Sequence, residues 1–364
     1  MDSLSQFVLG AAVSALVIGP KVGARKAALI GGVLGTLPDL DVLIPFADPV
    51  DSFVYHRGWT HSLFVHALAA PLLGEGLVRL FKGLREARLL AMLTVFLCLS
   101  THALLDAMTI YGTRLFWPVF PDPVGVGSVF IADPLYTLPL LAVTVWALVR
   151  SGWSRALGRG VAVALVLSTA YLGLGVVIQS QMEARAREVF AAKGIEPEQV
   201  LAIAGPFNTV MWKVIALEDA AYHNVYLSLL DGPDPVPVYT HPRRPDLAAC
   251  VAGSDAYAKL AWFSRGFLKA EERDGRLVVS DLRMGMTPDY VFQFALADLR
   301  DGAATGIPAE RDLSHRRMGD GDGGWLWARI TGRPADRQAE MTGAPVPSGG
   351  PLQCKATPAA GTPG

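Results

Sequence analysis

Apolar residues gather into six runs along the first half of the chain, at about 4–18, 27–37, 62–81, 89–105, 134–149 and 161–179. A helix crossing the ~30 Å hydrocarbon core of a bilayer needs about 20 such residues. The last four runs approach that length. The first two are short and rich in glycine, with Gly31, Gly32 and Gly35. Small residues let membrane helices approach closely, so these two runs are expected to pair as a tight or partly embedded hairpin. Beyond 179 the pattern changes. Residues 180–194 read as a charged amphipathic helix, and 210–217, 222–229, 276–283 and 290–297 alternate apolar with polar positions between Gly, Pro and Asp turns. That is the period of half-buried strands. From 334 onward Pro, Gly and Ala dominate, a composition expected to be disordered.

The predicted fold is therefore mainly α. A polytopic helical membrane domain over 1–179 precedes a small α+β domain with an antiparallel sheet over 180–333, and a tail over 334–364 follows. Basic residues orient the set. Lys21, Arg25 and Lys26 separate the first pair of runs, Arg79, Lys82, Arg85 and Arg88 the second, and Arg150, Arg155 and Arg159 the third. Those connections are expected on the cytoplasmic face. The connections 38–61 and 106–133 hold acids and only Arg57 and Arg114 as basic residues, which puts them, and the later α+β domain, on the extracytoplasmic side. The stretch 7–18 has no basic segment before it and reads as a retained membrane segment rather than a cleaved signal.

Composition agrees and narrows the function classes. The 364 residues are 51% hydrophobic and 18% charged, too apolar for an ordinary soluble protein. A net charge of −1 argues against a general nucleic-acid binder. Cys98, Cys250 and Cys354 lie far apart without CxxC spacing, and Cys98 lies inside an apolar helical run, so neither a thiolate zinc site nor a disulfide framework is expected, a Cys250–Cys354 bridge being the minor alternative.

Six acid and imidazole side chains stand out against this background, because ionisable groups at membrane depth are costly and normally face a partner or cavity. His102 and Asp106, four apart on a helical run, share one face and offer a metal one imidazole and one carboxylate. A His–Asp hydrogen bond at a helix end is the plainer alternative. Asp39 and Asp41 follow Pro38 in a turn, where both can point to one ion or simply cap a helix. His56 and His61 frame a bend at Gly58. They converge on metal or stand as unrelated interfacial residues, and Arg57 is available to an anionic substrate oxygen. By the charge argument all six lie at one end of the helices, which favours a single site. His66 reads as a hydrogen-bonded core residue, Asp133 as a helix N-cap, and His223, His241 and His315 as surface residues. No Gly-rich phosphate loop, GxSxG elbow or basic–aromatic nucleic-acid surface is present.

The segments PDLD, HRGWTHS and HALLDAMTIYGTRLFWP resemble the YdjM-like family of inner-membrane proteins regarded as metal-dependent hydrolases. MDSLSQFVLGAAV, ADPLYTLPLL, PFNTVMWKVIA and YLSLLD extend the resemblance over most of residues 1–300. The family is thought to be distantly similar to zinc-dependent phospholipase C and P1-type nucleases. The resemblance implies a bacterial inner-membrane location and metal ligation by Asp39, Asp41, His56, His61, His102 and Asp106. It also sets Asp2 and Gln6 near the site, though many relatives carry His at the Gln6 position.

The expected function is metal-assisted hydrolysis of a phosphoester in a membrane lipid or lipid-linked molecule. Zinc suits the imidazoles best, with manganese or magnesium as alternatives and one or two ions per site. Asp41 is the candidate general base and Arg57 the candidate phosphate clamp. Two other readings are a metal-stabilised membrane scaffold or envelope sensor without catalysis, and a transporter; the second lacks a midplane pathway of polar groups.

Overall fold

A computed structural model describes residues 1–301, 303–313, 319–341 and 353–354. Helices α1 (Ser3–Val22), α2 (Ala24–Thr36), α3 (Pro49–Tyr55), α4 (Leu63–Leu80), α5 (Arg88–Met108), α6 (Pro134–Val149) and α7 (Arg155–Ala191) account for the first half. Four of them, α1, α4, α5 and α7, are long and apolar enough to cross a membrane, while α6 is a shorter apolar helix. Two expectations change here. The first apolar run reaches spanning length as α1, and the amphipathic helix expected over 180–194 is the uninterrupted continuation of α7.

The chain divides into two compact units. The first comprises 1–44, 57–179 and 203–209, and the second 45–56, 180–202 and 210–364. These limits differ from those read off the sequence at 179. Helix α3 belongs to the second unit because Phe53 buries its ring there. It lies 4.9 Å from Phe263, 4.2 Å from Phe292 and 5.5 Å from Phe294 between centroids, and Asp51 pairs with Lys259 at 2.6 Å.

In the first unit α1 lies against α2, and both pack on α5 and α6. Glycine permits the closest of these contacts. Gly10 and Gly31 face each other so nearly that a Cβ on either would overlap the other's carbonyl, and Phe7 occupies the space above Gly32. Substituting a large side chain at Gly31 must part the two backbones. Gly31→Leu is expected to cost at least about 1–3 kcal/mol, read as a lower thermal midpoint in detergent; an unchanged midpoint contradicts the close packing.

The second unit contains β1 (Gln199–Ala204), β2 (Met211–Leu217), β3 (Ala221–Ser228), β4 (Val238–Pro242), α8 (Pro245–Val251), α9 (Asp255–Ser264), β5 (Leu268–Arg273), β6 (Arg276–Asp281), β7 (Gly285–Met286), β8 (Asp289–Tyr290), β9 (Gln293–Arg300), β10 (Ala303–Arg311), α10 (Asp322–Ile330), α11 (Gln338–Met341) and β11 (Gln353–Cys354). One sheet runs β1-β2-β3-β4, a second β11-β10-β9-β6-β5, and β7 pairs with β8. The β5–β6 hairpin turns on Asp274-Gly275, both at positive φ, the combination a two-residue hairpin turn prefers. β2 is buried along its whole length, so its polar Lys213 is enclosed rather than alternating outward.

Lys213 Nζ donates to the carbonyls of Leu282 and Gly285, each at 2.9 Å. Burial lowers its pKa to about 7 despite the nearby Glu340 carboxylate. The unfolded chain holds this proton up to the ordinary lysine range, so between about pH 7 and 10 it binds more protons than the native state. Native stability should therefore rise with pH across that window, by an amount on the order of a few kcal/mol. Hydrogen exchange of the β2–β3 amides tests this as a difference between wild type and Lys213→Met; parallel profiles contradict it.

Three further expectations are corrected in this unit. His223 and His241 are buried rather than superficial: His223 Nε2 lies 3.0 Å from Glu218, and His241 Nε2 lies 2.6 Å from Glu340. His315 falls outside the described residues. The expected tail from 334 begins with an anchored segment, in which Arg337 forms a two-armed pair with Asp322 at 2.8 Å. Buried Glu340 also accepts from Tyr226 and Asn224. Finally, Cys250 and Cys354, 104 positions apart, form a disulfide, and β11 pairs in parallel with β10 at Ala304↔Cys354. The minor alternative of the sequence reading is therefore the one the tertiary fold creates. The remainder of 342–364 lies outside the described residues.

Candidate metal centre

Pro38 ends the helical path of α2, since the residue before a proline is disfavoured in a helix and proline lacks the donor needed inside one. The chain continues as a 3-10 turn over Pro38–Leu43. At about three residues per turn, residues two apart point roughly 120° away from each other. Asp39 and Asp41 therefore cannot both face the same point, and they do not. Asp39 Oδ1 lies 3.4 Å from His102 Nε2 and 3.7 Å from His61 Nε2. Asp41 Oδ2 lies behind His61, 3.5 Å from its other ring nitrogen.

His61 sits on a short 3-10 turn over Trp59–His61. The bend before it is made by Arg57, at φ +59, whereas Gly58 has negative φ. Left-handed backbone costs a non-glycine residue roughly 1–2 kcal/mol. Here it is held by Arg57 N–H donating to Asp41 Oδ2 at 2.9 Å and Arg57 C=O accepting from Arg114 at 3.1 Å. Thr60 Oγ1 donates to the same Asp41 oxygen at 2.9 Å and meets His61 Nδ1 at 3.0 Å. Ser62 then caps α4, and buried His66 contacts the Thr60 carbonyl at 2.8 Å through Nε2.

From α5 come His102 and Asp106, one turn apart, with Nε2 and Oδ2 3.5 Å from each other. His102 Nδ1 donates to the Gly35 carbonyl at 2.6 Å, which fixes its tautomer and leaves the Nε2 lone pair facing inward. His61 is oriented the same way by Thr60 and Asp41. The two Nε2 atoms face each other at 3.1 Å, and Asp106 Oδ2 lies 3.3 Å from His61 Nε2. Asp106 Oδ2 is fully buried and accepts no hydrogen bond among the described residues.

Lone pairs and carboxylates crowded this way repel unless a cation lies among them. The distances suit one. Donors about 2.0–2.2 Å from a tetrahedral ion are about 3.3–3.6 Å apart; five of the six separations run from 3.1 to 3.7 Å, and the sixth, Asp39 to Asp106, lies within 4.8 Å. Asp39, His61, His102 and Asp106 thus form a group that can hold a metal ion, with all four ligand atoms within 4.8 Å of one another. His61, His102 and Asp106 are buried, and Asp39 is partly exposed.

Arg57 closes one side. Its Nε lies 3.1 Å from Asp106 Oδ2, its Nη1 donates to Thr109 at 3.4 Å, and its guanidinium lies over the Tyr111 ring. Asp106 Oδ1 accepts from Gln6 Nε2 at 2.9 Å and from the Met1 amine. Asp2 caps α1, and Asp133 caps α6 while accepting from Tyr171 at 2.8 Å.

Four of the six expected ligands meet. Asp41 is a correction: it orients His61 and the Arg57 turn, and stands outside the donor group. His56 is another: it ends α3, bonded through its N–H to Ser52, and belongs to the second unit. The roles of Thr60 and of the Gly35 carbonyl escape sequence reading, because they depend on backbone brought together by packing.

A family model described as YdjM inner membrane protein matches residues 1–182, half of the chain. No curated protein and no solved structure matches it.

Proposed function

The chain belongs to the YdjM inner membrane protein family, and we propose that it is a membrane-embedded, metal-dependent hydrolase acting on a phosphoester of a lipid or lipid-linked substrate. Its membrane location rests on the family and on four helices of spanning length. The observation that carries the reading is the donor group of two imidazoles and two carboxylates whose ligand atoms all lie within 4.8 Å of one another. Zinc fits such a mixed set best, and magnesium, which favours six oxygen ligands, fits it least. One group of this kind occurs among the described residues, which favours one ion.

A bound ion would polarise a phosphoryl oxygen and lower the pKa of a water toward neutrality. The chain's own residues do the rest. Asp39, the partly exposed member of the group, marks the side from which substrate arrives. Arg57, already over the centre, exchanges part of its contact with Asp106 for a substrate oxygen. Asp41 and Thr60 keep His61 in the tautomer that offers Nε2. Asp41 is thereby a positioning residue in this reading rather than the general base.

A second reading has its own support. Four protein donors satisfy a tetrahedral ion, and structural zinc sites are closed in this way. In that case the centre stabilises a membrane scaffold or sensor. The readings part on whether phosphate or water enters the coordination sphere.

Two independent features support an extracytoplasmic centre and second unit. Basic residues concentrate in the connections around 21–26, 79–88 and 150–159, opposite the donors. A disulfide in the second unit is the chemistry of an oxidising compartment.

The experiment is to purify the full chain in detergent, measure bound metal, and assay phospholipid and phosphodiester cleavage. Metal-dependent turnover is expected, with Arg57→Gln lowering kcat/KM about 10- to 100-fold, the worth of a hydrogen bond to a charged group. Bound metal without turnover on any phosphoester, and without phosphate binding, favours the scaffold.

A further inference from the structure

Each loop that builds the metal centre also carries apolar side chains that face outward. Leu40, Val42 and Leu43 interleave with and follow Asp39 and Asp41, Trp59 lies in the turn before His61, and Val119 and Phe120 lie in the loop after α5. All six are more than half exposed. The loops adjoin: the turn Pro38–Leu43 packs on Trp59–His61. Ser62 Oγ donates to the Trp117 carbonyl at 2.5 Å, and Leu63 N–H donates to the Leu115 carbonyl at 2.9 Å. Exposed apolar side chains thus lie on the two turns that carry Asp39 and His61 and on a loop bonded to the second of them, and we call this set the collar. Gathered exposed apolar residues mark an interaction surface rather than ordinary surface scatter.

We propose that this collar seats the hydrocarbon chain of an amphiphilic phosphoester whose head group enters the metal centre. The inference rests on the hydrolase reading above and deepens it by assigning the residues that hold the substrate's hydrocarbon chain. The collar's backbone is 3-10 turn and loop, which leaves peptide groups that hydrocarbon cannot satisfy, so the collar belongs at the lipid–water boundary. Asp39 reaches the imidazoles while Leu40, Val42 and Leu43 of the same turn stay exposed, so head-group and chain sites are one short segment apart.

Full-length, zinc-loaded protein in amphipol, titrated calorimetrically with octyl phosphate below its micellar range and with ethyl phosphate, tests this. The two esters share a head group. Each buried methylene is worth about a fourfold gain, so seating three of the six extra methylenes predicts roughly fiftyfold tighter binding of the octyl ester. A Val42→Ser, Leu43→Ser, Phe120→Ser variant, altered only at exposed positions, should lose most of that preference. It should retain its metal and its affinity for ethyl phosphate. Equal affinities in the wild type overturn the proposal, as does an undiminished octyl preference in the variant. Failure of the metal-loaded protein to bind either ester removes the hydrolase reading, and this inference with it.

Discussion

His102→Ala is expected to leave the purified protein without its bound divalent ion. The imidazole supplies one of four donors, and it stands within 3.1–3.5 Å of the other three. Loss of a residue that merely orients a ligand costs about 10- to 100-fold in affinity; loss of the ligand itself should exceed that, to about a thousandfold or more. Asp41→Asn provides the graded comparison. It keeps the donor group but weakens the hold on His61 and on the Arg57 turn, so a loss nearer 10- to 100-fold is expected. His56→Ala should bind metal as the wild type does. Equilibrium dialysis with metal analysis measures all three. Equal metal content in wild type and His102→Ala would remove the site, and a His56 variant as defective as His102→Ala would restore the ligand set suggested by spacing alone.

Cys250→Ser should destabilise the second unit by several kcal/mol. Closing a loop of about 100 residues restricts the unfolded chain by roughly 4–5 kcal/mol in the entropic account. The bond also ties the β11 edge to α8. Thiol alkylation of the denatured protein supplies a direct check. Without reductant only Cys98 should react, and after reduction all three cysteines should. Three reactive thiols in protein isolated without reductant from its membrane would contradict both the bond and the extracytoplasmic side argued for this unit.

What could be read from the sequence depended on how local the cause was. His102 and Asp106 were legible because the helical period alone puts them on one face. The cap at Asp133 was legible from equally local chemistry. Asp39 and Asp41 misled because an alternating pair suggests convergence, whereas the 3-10 turn after Pro38 separates them. His56 and His61 misled because the reversal at Arg57 parts them, and α3 follows Phe53 into an aromatic cluster built from residues more than 200 positions later. The Cys250–Cys354 bond and the burial of Glu340 against His241 are products of tertiary packing, about which composition and spacing are silent.

The most direct measurement is anomalous scattering at the metal absorption edge from crystals of the full-length, zinc-loaded protein. One peak is predicted, within bonding distance of Asp39 Oδ1, His61 Nε2, His102 Nε2 and Asp106 Oδ2. A peak elsewhere, or none at that position in protein shown to carry the metal, would contradict the account.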